Sequence, residues 1–354
     1  IQVPFTMRRL IPAAGQTAQV GTRGYQYIDW GDGVAETNSG SASHTYSAAG
    51  TGFGTWRTIK IFDKSATEKF TGMQAYGNYY DRVNIIKWGS PVFSYLRFTG
   101  VYALGIRTAA NDPLNTTSLT SFQSMFPSDS SYKTNARLID PYNNLDTWKT
   151  STATGGGAIT TFESMFSGTS SLGQQCVNDE SNFTFSFPAG TTATAGTYGN
   201  PSNQAGNING VTQSGTTITG TIKFQIIVDG SGTVTLDNTN THIIPQYMWQ
   251  GDNVSVGDVI RIDAGSFGSL NNNITCTLTS DNVLASNGVC NLNGWDTSQV
   301  SSFYGMFNHN SGRTGGRRVQ NVNFNNWNLS SAEDFALFSG LGNAANLKGT
   351  DLMP

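Results

Sequence analysis

The sequence predicts a mainly β protein, in which a β-sandwich is followed by a repeat solenoid that an inserted β-domain interrupts. Charged residues make up only 12% of the 354 residues and glycine occurs 41 times, a composition typical of short strands and many turns. Segments near the N-terminus alternate apolar and polar residues, and Phe-x-x-Met-Phe occurs three times. The predicted domains are residues 1–66 (sandwich), 67–180 (first repeat part), 181–292 (inserted β-domain) and 293–354 (second repeat part).

Charge and hydropathy argue against two classes of partner. The formal net charge is -3, so the chain has no basic field that would attract phosphate backbones, and we expect no nucleic-acid partner. No apolar run is long enough to span a bilayer. The first residues show neither an initiator methionine nor a signal-peptide pattern, so we expect the numbering to start inside a longer or processed chain.

The first predicted domain begins with two alternating segments, "YQYIDW" at 25–30 and "WRTIKIF" at 56–62. A period of two residues is typical of strands with one buried face. Between the two segments, glycines flank Asp32 and predict a turn, and "HTY" follows at 44–46. The pattern indicates antiparallel strands joined by turns.

The residues W-G-D-G at 30–33, H-T-Y at 44–46 and Gly50 resemble the polycystic-kidney-disease type of immunoglobulin-like domain. This resemblance implies an immunoglobulin-like β-sandwich that serves as an extracellular or particle-surface spacer. Asp29 and Asp32 are candidate Ca²⁺ ligands, because carboxylate oxygens suit this ion. Turn formation is the favoured alternative, since Asp-x-x-Asp-Gly supplies too few oxygen ligands.

The repeated segments start at positions 120, 160 and 301. At about 100° per residue their apolar side chains fall on one face, so the spacing predicts short amphipathic helices. A fourth, eroded copy follows Trp327. A unit this small cannot bury its own apolar face and must stack on its neighbours, which predicts a solenoid. The predicted repeat core comprises Leu119, Phe122, Met125, Phe126, Ile159, Phe162, Met165, Phe166, Trp295, Val300, Phe303, Met306, Phe307, Trp327, Phe335 and Phe338.

The stretch W-D-T-S-x-V-x-x-F-x-x-M-F at 295–307 resembles the repeat of the BspA-like bacterial surface proteins, relatives of the leucine-rich repeats that also occur in mycoplasma lipoproteins and in virion proteins of marine phages. The resemblance implies an irregular leucine-rich-repeat-like solenoid with short helices. Such repeats recur at about 25 residues. Here equivalent phenylalanines are separated by 40 residues (122 to 162), 141 (162 to 303) and 32 (303 to 335), so we expect insertions.

The largest insertion, residues 181–292, has its own strand signals. The run "TIKFQIIVDGSGTVTL" at 221–236 predicts a β-hairpin, and "VSVGDVIRI" and "ITCTLTS" predict two further strands. Tyr247 and Trp249 lie beside Gln250 and Asp252, a set that suits glycan binding because rings stack on sugars while amides and carboxylates bond hydroxyls. Packing at a strand end is the favoured alternative.

Catalytic motifs are missing from the sequence. We find no nucleophile elbow, zinc-protease helix, Walker loop or dinucleotide fingerprint, and the three histidines lie in different segments. We therefore expect no enzymatic activity and no cofactor. The adjacent pairs Asp179-Glu180 and Glu333-Asp334 keep a glycoside-active enzyme as an alternative.

The three cysteines are too few for a disulfide scaffold or a zinc site. Cys276 and Cys290 flank a predicted turn and could form a disulfide in an oxidising medium. Buried free thiols are the favoured alternative.

The sequence thus predicts a non-enzymatic structural or attachment protein on a virion surface, as a phage capsid decoration, fibre or appendage component. Its low lysine and glutamate content and its bias to Thr, Ser, Gly and Asn suit an assembled particle. Expected partners are other structural proteins of a particle or surface, with self-association and glycan binding as further options. The alternative is a bacterial cell-surface or extracellular adhesin that binds glycan or a host protein.

Overall fold

The structure is a computed structural model. It describes residues 2–11, 15–47, 55–74, 82–98, 103–109, 111–126, 136–167, 169–170, 176–178, 180–199, 208–249, 254–284, 290–307, 322–324 and 326–333. These residues are mainly β, as predicted from the sequence.

Eleven strands from the first half of the chain form the largest sheet. They are β1 (Phe5–Ile11), β2 (Thr17–Asp29), β3 (Ala35–Ser39), β4 (Ala42–Thr45), β5 (Thr55–Asp63), β6 (Phe70–Gln74), β7 (Arg82–Lys87), β8 (Tyr95–Arg97), β9 (Ala103–Ile106), β10 (Ala136–Ile139) and β11 (Thr169–Ser170). The hydrogen-bonded order is β11-β10-β9-β7-β1-β5-β2-β6-β8, with β3 and β4 also paired to β2.

Strand β2 links two parts of this sheet. Residues 17–24 pair with β4 and β6, whereas residues 25–29 pair with β3 and β5. Within the second half, Gln26 and Ile28 are fully buried, while Tyr25 and Tyr27 are 46% and 42% exposed. The alternation seen in the sequence therefore corresponds to one buried and one exposed face of a strand.

The repeat region continues the same sheet with parallel strands. Strands β7, β9, β10 and β11 are parallel neighbours, and the buried residues Val83, Leu104 and Leu138 align across the first three. Parallel neighbours require a crossover between them, so each strand is one side of a coil of the chain. We call each such coil a rung.

The opposite side of each rung contains the Phe-x-x-Met-Phe segment. Ser121, Thr161 and Ser302 form parallel bridges from one rung to the next. The helices predicted for these segments are wrong: each segment is a turn in which the Met amide donates to the carbonyl of the first Phe, at 3.0–3.1 Å. Helix in the described residues is limited to two 3-10 turns, Leu145–Thr147 and Thr152–Thr154.

The turns are not helical because their third residue has a left-handed backbone. The φ angles are 51° at Ser124, 53° at Ser164 and 60° at Gly305. A right-handed helix has φ near −63°, so these residues stop helix formation after one turn. Phe and Met still point inward together, because they are the first and last residues of the same turn.

The insertion forms a separate six-stranded sheet. Its strands are β13 (Thr192–Tyr198), β14 (Ile208–Ser214), β15 (Thr217–Thr235), β16 (Thr241–Trp249), β17 (Val259–Ile262) and β18 (Ile274–Thr277). Strands β17 and β18 correspond to the two further strands predicted there. The predicted hairpin is wrong, because β15 continues through Asp229–Gly232, where the turn was expected. Gly230 and Gly232 have φ angles of 117° and 65° and lie at the irregularity where the register between β15 and β13 shifts.

The chain enters and leaves the insertion through a two-stranded neck. Strand β12 (Cys176–Val177) pairs antiparallel with β19 (Val283–Leu284). After the insertion, β20 (Cys290–Asn291) and β21 (Val322–Asn323) pair in parallel and resume the rungs.

Buried apolar residues fall into two clusters that share no described member. One runs without interruption from Phe5 through the rungs to Trp327, so the predicted boundary at residue 66 falls between two strands of one sheet with a common core. The other consists of buried apolar residues of the insertion, from Val177 to Val283. In the described part of the chain, no helix has the length and apolar character to cross a membrane.

Candidate functional site

The aromatic residues of the predicted repeat core form stacks along the rungs. Phe98, Phe126, Phe166 and Phe307 follow one another with ring centroids 5.6, 5.6 and 5.5 Å apart and interplanar angles of 11°, 13° and 8°. Backbone amides reinforce this stack, because the Phe166 amide donates to the Met306 carbonyl at 2.8 Å. The distance and the angle between neighbouring rings are thus nearly the same at each step.

A second column is formed by the first phenylalanine of each segment. Phe122 stacks on Phe162 at 5.7 Å, and Phe162 meets Phe303 edge-on at 5.5 Å. The remaining apolar members of the predicted core in these three copies are also buried: Leu119, Met125, Ile159, Met165, Val300 and Met306. The structure therefore brings the first three copies together in one core.

Tryptophans form a third column. Trp148, Trp295 and Trp327 lie nearly parallel, with centroid distances of 6.3 and 6.1 Å. The indole N–H of Trp295 donates to the Leu145 carbonyl at 2.6 Å, and that of Trp327 donates to the Leu292 carbonyl at 2.9 Å. In both cases the acceptor lies three residues before the preceding tryptophan, so the bond repeats with the rung.

Buried threonine hydroxyls also connect the rungs, and the sequence interpretation missed them. Each hydroxyl donates to the carbonyl that follows the tryptophan of the next rung: Thr116 to Lys149, Thr150 to Asp296, and Thr297 to Asn328. All three threonines are at most 1% exposed. The available signal was a threonine two residues after Trp148 and Trp295.

The fourth copy joins the rungs in the register that its sequence suggests. The Ser301 amide donates to the Thr160 carbonyl, and the Glu333 amide donates to the Ser301 carbonyl at 2.7 Å. Glu333 precedes Phe335 by two residues, as Ser301 precedes Phe303. Phe335 and Phe338 themselves lie outside the described residues.

The N-terminal W-G-D-G and H-T-Y motifs meet in space. His44 Nε2 lies 2.7 Å from Asp32 Oδ2, and the His44 ring stacks on Trp30 at 5.3 Å. Tyr46 donates its hydroxyl to the Trp30 carbonyl at 2.9 Å. Gly31 has φ of 79°, and a Cβ there would lie 2.4 Å from the Thr58 carbonyl oxygen, so only glycine fits this turn.

The two Ca²⁺ candidates are hydrogen-bond acceptors within this turn. Asp29 Oδ1 accepts the Gly31 amide at 3.0 Å, and Asp32 Oδ1 accepts the Val34 amide at 3.1 Å. Burial opposes ionisation of Asp32, but the bonds from His44 and Val34 outweigh it and hold the pKa of this carboxyl below 3.8. Among the residues described, no group of three or more His, Cys, Asp or Glu could hold a metal ion.

Two of the four residues predicted to bind glycan have a described backbone. Tyr247 and Trp249 belong to β16, where their backbones pair with Lys223 and Thr221 of β15. Their side chains lie outside the described part of the structure, as do Gln250 and Asp252. The glycan site stays a prediction.

The carboxylates of the glycosidase alternative are placed only in part. Glu180 lies at the neck of the insertion, where its side chain is 12% exposed and contacts Arg8. Glu333 contributes its amide to the rung described above. Asp179 and Asp334 lie outside the described residues.

The two cysteines considered for a disulfide are free thiols in different cores. Cys276 is buried in the insertion and Cys290 in the rungs. Burial raises the pKa of the Cys276 thiol to about 11 and raises that of Cys290 well above its usual value. Both thiols therefore stay protonated at neutral pH, and a protonated thiol is a weak nucleophile.

Comparison with known proteins gives one family match. A family model described as "Mycoplasma protein of unknown function, DUF285" matches residues 284–346. This stretch contains the third copy of the repeat, so the match is compatible with the similarity to mycoplasma proteins proposed from the sequence. The comparisons with curated proteins and with solved structures found no match.

Proposed function

We propose that the protein is a non-enzymatic structural or attachment component of a surface, in which the stacked rungs form a stiff body that carries the inserted β-domain. The aromatic column from Phe98 to Phe307 is the observation that carries this proposal. A column with the same contacts at each step, tied by buried threonine and indole hydrogen bonds, resists bending because deformation would break several equivalent contacts together.

In this proposal the first domain is an immunoglobulin-like sandwich and the rungs are a leucine-rich-repeat-like solenoid of the BspA-like kind. Support comes from the meeting of Trp30, Asp32, His44 and Tyr46 in one cluster, and from the parallel strands β7, β9 and β10. The family match at 284–346 supports the repeat assignment.

We place the protein on a virion surface, where it contacts other structural proteins or further copies of itself. The test is mass spectrometry of particles purified on a density gradient and washed with concentrated salt. We expect peptides of this chain in a constant ratio to the major capsid protein across the particle peak. A ratio that falls to zero after the wash would reject the virion assignment.

A bacterial adhesin is the second candidate, because the matching family model is described as a Mycoplasma protein and because Tyr25 and Tyr27 expose aromatic surface. The test is a glycan array with the wild-type chain and the Trp249→Ala variant, with Tyr304→Ala as the control. Tyr304 is 48% exposed and belongs to a rung, whereas Trp249 belongs to strand β16 of the insertion. Glycan binding lost only in the Trp249 variant is the result expected of an adhesin. Equal signals from all three proteins would reject Trp249 as a sugar platform.

A further inference from the structure

The inserted domain touches the large sheet through polar groups. The apolar clusters of the two parts share no described residue. Hydrogen bonds connect the large sheet to the inserted domain. Arg107 Nη1 donates to Asn178 Oδ1 at 2.8 Å, and Arg82 Nη1 donates to the Pro245 carbonyl at 2.7 Å. These contacts are directional, and their charged donors add geometric specificity, so they can fix the orientation of the inserted domain.

Glu180 is the centre of these contacts. Its Oε2 lies 2.5 Å from Arg8 Nη1 of β1, and its Oε1 accepts a hydrogen bond from Asn84 Nδ2 of β7 at 2.5 Å. The same Oε1 lies 3.7 Å from Arg107 Nη1, just after β9. One carboxylate thus connects two strands of the sheet, and the residue that follows a third strand, to the start of the insertion.

The ion pair between Glu180 and Arg107 is largely shielded from water, so solvent screens the attraction between its charges only weakly. The side chains of Glu180 and Arg107 are 12% and 8% exposed. Removal of one member of a buried ion pair leaves the other charge uncompensated, which is far more disruptive than loss of a surface pair. Arg8, at 44% exposure, is the solvent-facing partner.

The neck strands connect Glu180 rigidly to the sheet of the insertion. Val177 and Val283 of the paired neck strands belong to the insertion core. Asn282, which is 3% exposed, donates to the Ser181 hydroxyl and to the Asn182 carbonyl and so ties the two sides of the neck together. A residue fixed at the neck is therefore fixed relative to the insertion sheet.

We propose that Glu180 is a positioning residue that sets the orientation of the inserted domain on the large sheet. With its carboxylate in place the domain has one docked orientation. Without it, the domain stays folded on its own core but takes a range of orientations. What the domain presents to a partner is then directed by the largely shielded cluster around Glu180.

The test is a distance measurement by pulsed electron resonance between spin labels at two exposed sites, Ile218 in the insertion and Tyr304 on a rung, each replaced by cysteine. The parent chain without added cysteines reports background labelling. The distance distribution is compared in the Glu180→Ala variant and in Glu68→Ala, which removes a surface ion pair with Lys64 as the matched control.

In the doubly labelled chain we expect one narrow distance distribution, and Glu68→Ala should leave it unchanged. Glu180→Ala should at least double its width, with an unchanged far-ultraviolet circular dichroism spectrum. An unchanged narrow distribution in Glu180→Ala would overturn the proposal. If that variant does not fold, Glu180→Gln decides, because it removes the charge and keeps the shape of the side chain. Broadening relative to the doubly labelled chain supports the proposal, and an identical distribution rejects it.

Discussion

The third residue of each Phe-x-x-Met-Phe segment has a left-handed backbone, and replacing Ser164 by glycine tests whether these segments are turns. An L-residue in this conformation costs about 1–2 kcal/mol relative to the right-handed one. Glycine removes that cost but loses about 0.5–1 kcal/mol more backbone entropy on folding. Ser164 has a φ of 53°, so its replacement by glycine should raise the free energy of unfolding of the protein by about 0.5–1 kcal/mol.

If this position were helical, Ser164→Gly would change the free energy of unfolding in the opposite direction. Within a helix, glycine is about 0.5 kcal/mol less favourable than serine, so Ser164→Gly would then destabilise the protein. The measurement is urea denaturation followed by tryptophan fluorescence, since tryptophans stack in the same core. Gly305→Ala is the reciprocal variant and, by the same two terms, should lower the unfolding free energy by about 0.5–1 kcal/mol. Destabilisation by Ser164→Gly together with stabilisation by Gly305→Ala would refute the turn assignment.

Other substitutions test the columns and the N-terminal cluster. Phe162→Ala removes a fully buried ring and should lower the unfolding free energy by about 3–5 kcal/mol in urea denaturation; a loss below about 1 kcal/mol would contradict its central place. Thr297→Val removes the hydrogen bond from the buried Thr297 hydroxyl to the Asn328 carbonyl and should cost about 0.5–1.5 kcal/mol in the same assay, whereas a neutral effect would argue against the threonine column. Since the pKa of Asp32 is held below 3.8, the stability that it contributes is complete above pH 3.8 and is lost as the pH falls through the lowered value. Melting temperatures should therefore fall more steeply below pH 3.8 in the wild type than in Asp32→Asn, and parallel curves would reject a role for the bond to His44.

The stacking of the repeats could be predicted from the sequence, because it follows from apolar spacing and unit size. Val300, Phe303, Met306 and Phe307 recur at equivalent offsets in other copies, and a unit with so few apolar residues has to find its partners in neighbouring units. Conformation within the unit could not be predicted from that spacing. A turn also brings its first and fourth residues to one side, and only Gly305 signalled a left-handed position.

The polar contacts between distant segments could not be predicted from the sequence, for a different reason. Glu180 meets Arg8 across 172 residues of chain, and no local pattern distinguishes such a carboxylate from one on a solvated surface. The threonine column was hidden in the same way, since each hydroxyl finds its acceptor on another rung. The sequence shows that Thr150 and Thr297 each follow a tryptophan by two residues, but only the aligned rungs show which carbonyl each hydroxyl reaches.

The unequal intervals between the copies follow from how register is set. The Phe162 amide donates to the Ser302 carbonyl at 2.9 Å, just as the Phe122 amide donates to the Thr161 carbonyl at 3.0 Å, although the intervals are 141 residues (162 to 303) and 40 residues (122 to 162). Closing the longer loop costs only about 1 kcal/mol more, because the entropy grows with the logarithm of its length. The insertion reduces even that cost, since it folds on its own core and its neck strands return the chain beside its point of departure. Contacts between rungs therefore fix the register, and a rung can carry a whole domain while its aromatic column stays intact.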